Sequence, residues 1–173
     1  GVEQDIEEKH YDAVLGLAGA ENGSRIQLSH GIEAHLDGDG VVFTRGRTEK
    51  DGREISFPAG GEIAAMGVRV VRVPAGTERE SGALYADLDA IPEGAVLRKR
   101  REGDRITKFG GGTKSLGDFL TDRKVPLRAR DGITVCAAGS DILFAAGVEI
   151  SERVKVTERT KNTIKITEDK NVR

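Results

Sequence analysis

Gly110-Gly111-Gly112-Thr113-Lys114-Ser115 is the first run whose residue types could do chemistry. Glycines expose backbone N–H groups, and Lys114 beside a helix start adds positive charge, so the run suits an anion. A nucleotide P-loop needs Gly-Lys-Ser/Thr after a leading Gly and four spacers, and here Thr113 separates the last Gly from Lys114. The second candidate is Arg98-Lys99-Arg100-Arg101-Glu102-Gly103-Asp104-Arg105. On a strand Arg98 and Arg100 share one face about 7 Å apart, Lys99 and Arg101 the other, and each arginine fork can take a phosphate in bidentate fashion. Arg105, Lys108 and Lys114 extend this wall. Arg123, Lys124, Arg128 and Arg130 form a second one, with Pro126 favouring an extended course between its halves. Asp104 and Asp118 are expected to orient arginines or cap a helix.

Catalytic candidates are thin, and no catalytic or metal-binding residue is assigned. His10, His30 and His35 have no ligand spacing, and Cys136 is the single cysteine. Asp37, Asp39 and Gly40 start like a calcium loop but lack its closing Glu. Asp87 and Asp89 would need a cleft to work as a pair. Ser24, Ser29 and Ser140 lack the context of a nucleophile elbow.

Charge segregation supports a polyanion partner. The 173 residues carry 27 basic and 29 acidic side chains, a net charge of -2. Residues 97–130, however, hold eleven Lys/Arg against four Asp/Glu, a local +7, which leaves -9 on the remainder. Duplex DNA readers usually insert a helix, and no long basic helix is present. Single-strand binders stack bases on aromatics, and only Phe109 and Phe119 lie nearby. Shape-based contact with an RNA backbone fits best. A lone cysteine, no apolar run of about 20 residues and a charged first decapeptide place the chain in the cytoplasm as an expectation.

The elements that must position these residues follow from periodicity. Ile6, His10, Ala13, Val14, Leu17 and Ala18 predict a helix over 3–20. Period-two alternation then predicts strands over 26–28, 32–36 and 41–44, with a hairpin turn at Asp37-Gly38-Asp39-Gly40. Further strands are expected at 55–57, 63–73 (with a bulge near Val70 or Val71), 83–88, 95–99, 133–137, 142–146 and 148–150. Alternation recurs at 154–156 and 164–166. Residues 100–114 read as a loop and 115–122 as a short helix. The fold class is α+β: mostly antiparallel β with an N-terminal helix and a short helix after the Gly-rich loop. Pro74 to Gly82 is the best boundary, giving a connecting segment at 1–78 and a basic domain at 79–173.

Read in order, Arg98 to Arg105, Gly110, Lys114, Leu116, Asp118-Phe119-Leu120, Lys124-Val125-Pro126 and Arg130 resemble the C-terminal domain of the tRNA(Ile)-lysidine synthase family. Residues 142–147 continue the resemblance, with Phe144 where the family commonly has Trp, and so do residues 154–157. Ser115 stands where many members carry a second Lys. The resemblance covers about residues 83–167, and 5–45 look more loosely like the family's connecting part. It implies a ligase that uses ATP and Mg to join lysine to the anticodon cytidine of a minor tRNA(Ile). The family's catalytic Ser-Gly-Gly-x-Asp-Ser loop is absent from this sequence. The chain therefore reads as the non-catalytic C-terminal part, gripping the tRNA acceptor stem through Arg98, Arg100, Arg101, Arg105, Lys108, Lys114, Arg123, Lys124, Arg128 and Arg130. Its expected partners are tRNA(Ile) and the missing N-terminal catalytic domain, with no cofactor of its own. Two alternatives stay open: a structural module that forms a homodimer, and a nucleotide-binding domain built on the 110–115 loop.

Overall fold

A computed structural model describes residues 8–38, 40–45, 52–169 and 171. Two compact units group residues 1–49 with 126–129, and residues 50–125 with 130–173. Strands on both sides of residue 78 hydrogen-bond to one late strand.

In the first unit α1 (Glu8–Leu17) buries Leu17 and stops three residues before the expected end at residue 20. The predicted residues 3–7 lie outside the described residues. Strands β1 (Arg25–Gln27), β2 (Ile32–Asp37) and β3 (Gly40–Arg45) form an antiparallel sheet in that order. Pairing of β2 with β3 runs to Asp37↔Gly40, which leaves two residues for the turn, and Gly38 at φ 64 supplies its left-handed backbone. Asp39 lies outside the described residues, and the backbone pairing of Asp37 assigns this segment to a hairpin.

The second unit holds β4 (Glu54–Ser56), β5 (Ile63–Ala65), β6 (Val68–Val73), β7 (Leu84–Asp87), β8 (Val96–Lys99), β9 (Arg105–Thr107), β10 (Thr113–Ser115) and α2 (Leu116–Asp122). After α3 (Leu127–Arg130), of which only Arg130 groups here, come β11 (Thr134–Ala138), β12 (Asp141–Ala145), β13 (Glu149–Ile150) and β14 (Thr163–Glu168). One sheet runs β10-β9-β12-β11-β8-β4, with β13 beside β12; a second runs β5-β6-β14-β7. Among the described pairs only β9–β12 is parallel. The fold is thus α+β and mostly antiparallel, as expected.

Both faces of the larger sheet are covered. On one side Leu97, Cys136, Leu143 and Phe144 share a core with Val68, Val70, Ile164 and Ile166 of the four-stranded sheet. On the other, Leu116, Phe119 and Leu120 of α2 pack on Ile106, Val135, Ala137 and Ile142. Double coverage is why β11 and β12 read as unbroken apolar runs rather than alternating ones. The Phe57 ring meets Phe144 edge-on, 6.3 Å between centroids.

Four local expectations change. The β6–β14 register runs from Val68 to Val73 without a shift, so the bulge near Val70 is absent; Val68 and Val70 are buried while Val71 sits opposite Lys165. Residues 100–114 are not one loop, because β9 and β10 pair within it. Residues 154–156 form the end of a 3-10 turn and a single bridge rather than a strand. Pro126 opens a helical turn, its carbonyl accepting from the Ala129 N–H at 3.0 Å, instead of an extended course. The fixed φ of proline suits a first helical position as well as an extended one.

Candidate nucleic-acid interface

The basic run begins on β8, where strand alternation puts Arg98 on the inner face. Arg98 is 2% exposed, and its guanidinium is fully engaged. It donates to both Asp104 oxygens at 2.9 and 2.6 Å, to the Gly139 carbonyl at 2.9 Å and to its neighbour's carbonyl at 3.0 Å. Asp104, itself buried, also accepts from the Arg101 backbone N–H at 2.7 Å. Arg98 therefore leaves the candidate phosphate-binding set: it folds the β8–β9 turn over a buried ion pair. Asp104 orients an arginine, as anticipated.

The end of α2 gathers most of the remaining cations. Ser115 caps the helix start, accepting from the Asp118 N–H at 3.1 Å while its hydroxyl donates to the Asp118 carboxylate at 2.7 Å. At the other end Lys124 sits at φ 56. Its N–H reaches the Thr121 carbonyl at 2.9 Å, and that of Val125 reaches Leu120 at 2.9 Å. These are the two bonds of a Schellman stop, with Val125 packed on the α2 core. Around this last turn Lys114 pairs with Asp122 at 2.6 Å. Arg123 lies over the Phe119 ring at 5.2 Å and reaches Glu149 at 3.1 Å. Arg130 donates to Thr121 Oγ1 at 3.1 Å and to the Val125 carbonyl at 2.9 Å. Arg100 in turn donates to the Arg130 carbonyl at 3.0 Å and to Asp131 at 2.5 Å. Positive charge here also complements the negative end of the helix. The Lys114 hydrogen bond, aided by the charges of Lys114, Lys108 and Arg123, holds the Asp122 carboxyl below its ordinary value.

Lys108 and Lys124 are exposed and form no side-chain hydrogen bond or ion pair among the described residues. Arg105 is likewise exposed and unpaired, but it alternates with buried Ile106 and so lies on the face of β9 away from α2. Arg101 bonds Glu54 at 2.5 Å, at the far edge of the sheet. The side chain of Arg128 lies outside the described residues. Sequence spacing thus finds one real cluster, Arg100, Lys108, Lys114, Arg123, Lys124 and Arg130, and three arginines that do not join it.

Other candidates resolve as structure. Gly110, Gly111 and Gly112 all have positive φ, and the Lys108 and Gly111 N–H groups close the β9–β10 turn. Strand β10 separates these glycines from α2, unlike a P-loop, where the loop runs directly into a helix. Asp87 accepts from the Asp89 N–H and from Thr160, and Asp89 accepts from Asn162, so both carboxylates tie down the segment before β14. Burial pushes the Cys136 thiol up to about 12, unsuited to a nucleophile. Among the described residues no three His, Cys, Asp or Glu come together as a metal site, and no described helix is long and apolar enough to cross a membrane.

Residues 95–166, the stretch that carries this cluster, match the model of the TilS substrate C-terminal domain. This stretch is similar to that domain family. A solved TilS C-terminal domain has the same fold over 69% of this chain and 98% of its own, with a TM-score of 0.53 at 21% identity. The tRNA(Ile)-lysidine synthase of Clostridium tetani is 28% identical over 176 residues, covering 94% of this chain and 37% of the relative. That of Caldanaerobacter subterraneus subsp. tengcongensis is 29% identical over 175 residues, covering 96% and 38%. The chain therefore spans well under half the length of these relatives.

In the matched stretch two further cations stand near β9 and β12. Arg153 pairs with Asp141 at 2.6 Å, and Asp141 is the register neighbour of Arg105; Lys155 Nζ lies 5.5 Å from the Phe109 ring. Both fall beyond the basic segment at residues 97–130. Their alternation, Arg153 and Lys155 on either side of buried Val154, is the signal that marks them.

Proposed function

We propose that this chain is the tRNA-holding, non-catalytic C-terminal part of a tRNA(Ile)-lysidine synthase, and that it holds the acceptor stem by its phosphates. The observation that carries this reading is the set of exposed cations with no side-chain hydrogen bond or ion pair to a carboxylate among the described residues, Arg105, Lys108 and Lys124, all inside the matched stretch. Cations already paired, such as Lys114 with Asp122, need a phosphate to displace a carboxylate and contribute less. A wide, shallow RNA groove flanked by phosphates suits a surface with no long protruding helix. Binding energy collected on the stem would orient the tRNA, while a separate catalytic part uses ATP and Mg to attach lysine to the anticodon cytidine. Titration of the chain with tRNA(Ile) and with an unrelated duplex RNA at several salt concentrations tests this. The expected slope of log K against log salt is about -3, for three phosphates held. Absence of binding at low salt would overturn the reading.

A further inference from the structure

The face of β9 turned away from α2 has its own character. Arg105 and Thr107 alternate with buried Ile106, and Phe109 follows at 42% exposure on the glycine turn. Ser151 donates to the Thr107 carbonyl at 3.3 Å, which brings the segment with Arg153 and Lys155 alongside. At one end of this strip Arg105 is the backbone register neighbour of Asp141, which pairs with Arg153; at the other Lys155, paired with Glu152 at 3.3 Å, stands over Phe109. An exposed aromatic ring beside a lysine suits one class of ligand. A nucleobase offers a flat π-face to the ring, while its phosphate faces the flanking ammonium and guanidinium groups. Lys155 lies within cation–π range of the ring, and an anionic tail on a stacked aromatic would take the place of its Glu152 carboxylate.

We propose that Phe109 is a stacking platform for an unpaired nucleotide of the bound RNA, with Arg105 and Lys155 taking its phosphates. This rests on the RNA-holding reading above and adds to it that the RNA presents a single-stranded end beside its duplex. Duplex bases stack on one another and cannot reach the ring, so the site distinguishes an overhang from a blunt end. The three positive-φ glycines after Phe109, none with a heavy atom within 4 Å of a Cβ position, leave room for the base to approach.

The test measures affinity of the chain for a blunt RNA duplex and for the same duplex with a short single-stranded overhang. The wild-type chain is expected to bind the overhang duplex more tightly. Phe109→Ala should weaken binding of the overhang duplex about tenfold, leave the blunt duplex unchanged and keep the circular dichroism of the fold. Phe109→Trp should retain the preference. Equal wild-type affinity for both duplexes, or an equal loss on both in Phe109→Ala, would overturn the stacking site while leaving duplex binding standing. Failure of the wild-type chain to bind either RNA would overturn both readings.

Discussion

Arg98 and Arg105 open and close the same short turn, yet one faces the core and the other the solvent. Arg98 is held by two oxygens of buried Asp104 and by the Gly139 carbonyl. Removing its partner leaves a buried charge uncompensated, and that is the expensive event rather than loss of the attraction itself. Asp104→Ala should therefore cost about 3–5 kcal/mol, read as a fall in the urea midpoint, and a change under about 1 kcal/mol would refute the buried-pair account. Arg105→Ala removes no internal bond, so its stability should stay within about 0.5 kcal/mol while RNA affinity falls. Neither residue type nor spacing separates these two arginines in the sequence. Only the neighbouring Asp104, three residues into the turn, hints that one of them has a partner inside.

At the scale of elements, α2 and its stop decide how the cluster is presented. Lys124 occupies the left-handed position where glycine is usual, at a cost of about 1 kcal/mol. Lys124→Gly should accordingly raise stability by about 1 kcal/mol in denaturant titration and lower the magnitude of the RNA salt slope by about 1. Opposite signs in the two measurements would mark a residue kept for its charge; a loss of stability would show that its side chain supports the turn. The Lys114–Asp122 pair ties β10 to the last turn of the helix. Because the folded Asp122 carboxyl lies below its ordinary value, the pair contributes above the unfolded carboxylate range, near pH 4, and is lost as pH falls through the folded value. An NMR titration should find the Asp122 midpoint below the ordinary aspartate value, rising toward it in Lys114→Ala. The helix itself was legible from Ser115, Leu116, Phe119 and Leu120. Its Schellman stop was not, because the usual glycine signal is absent at Lys124 and Pro126 suggested extended chain.

For the whole molecule the net charge of -2 is a poor guide to partners, since the surface is divided in sign. A salt slope near -3 counts local phosphate contacts rather than total charge; a slope near zero would mean that the acidic remainder cancels the patch. By itself the sequence determined the fold class, most strands, the short helix with its Ser115 cap and the basic segment. All of these depend on local periodicity, turn chemistry and composition, which act over a few residues. It also carried the family resemblance, now borne by the match over residues 95–166. Only the tertiary structure decided which cations are accessible. Pairing of β8 with β11 turns Arg98 inward beside Gly139, and pairing of β9 with β12 sets Arg105 beside Asp141. Those neighbours are separated by dozens of residues along the chain. A charge becomes a site or a strut according to what long-range strand pairing places against it, and no local pattern encodes that.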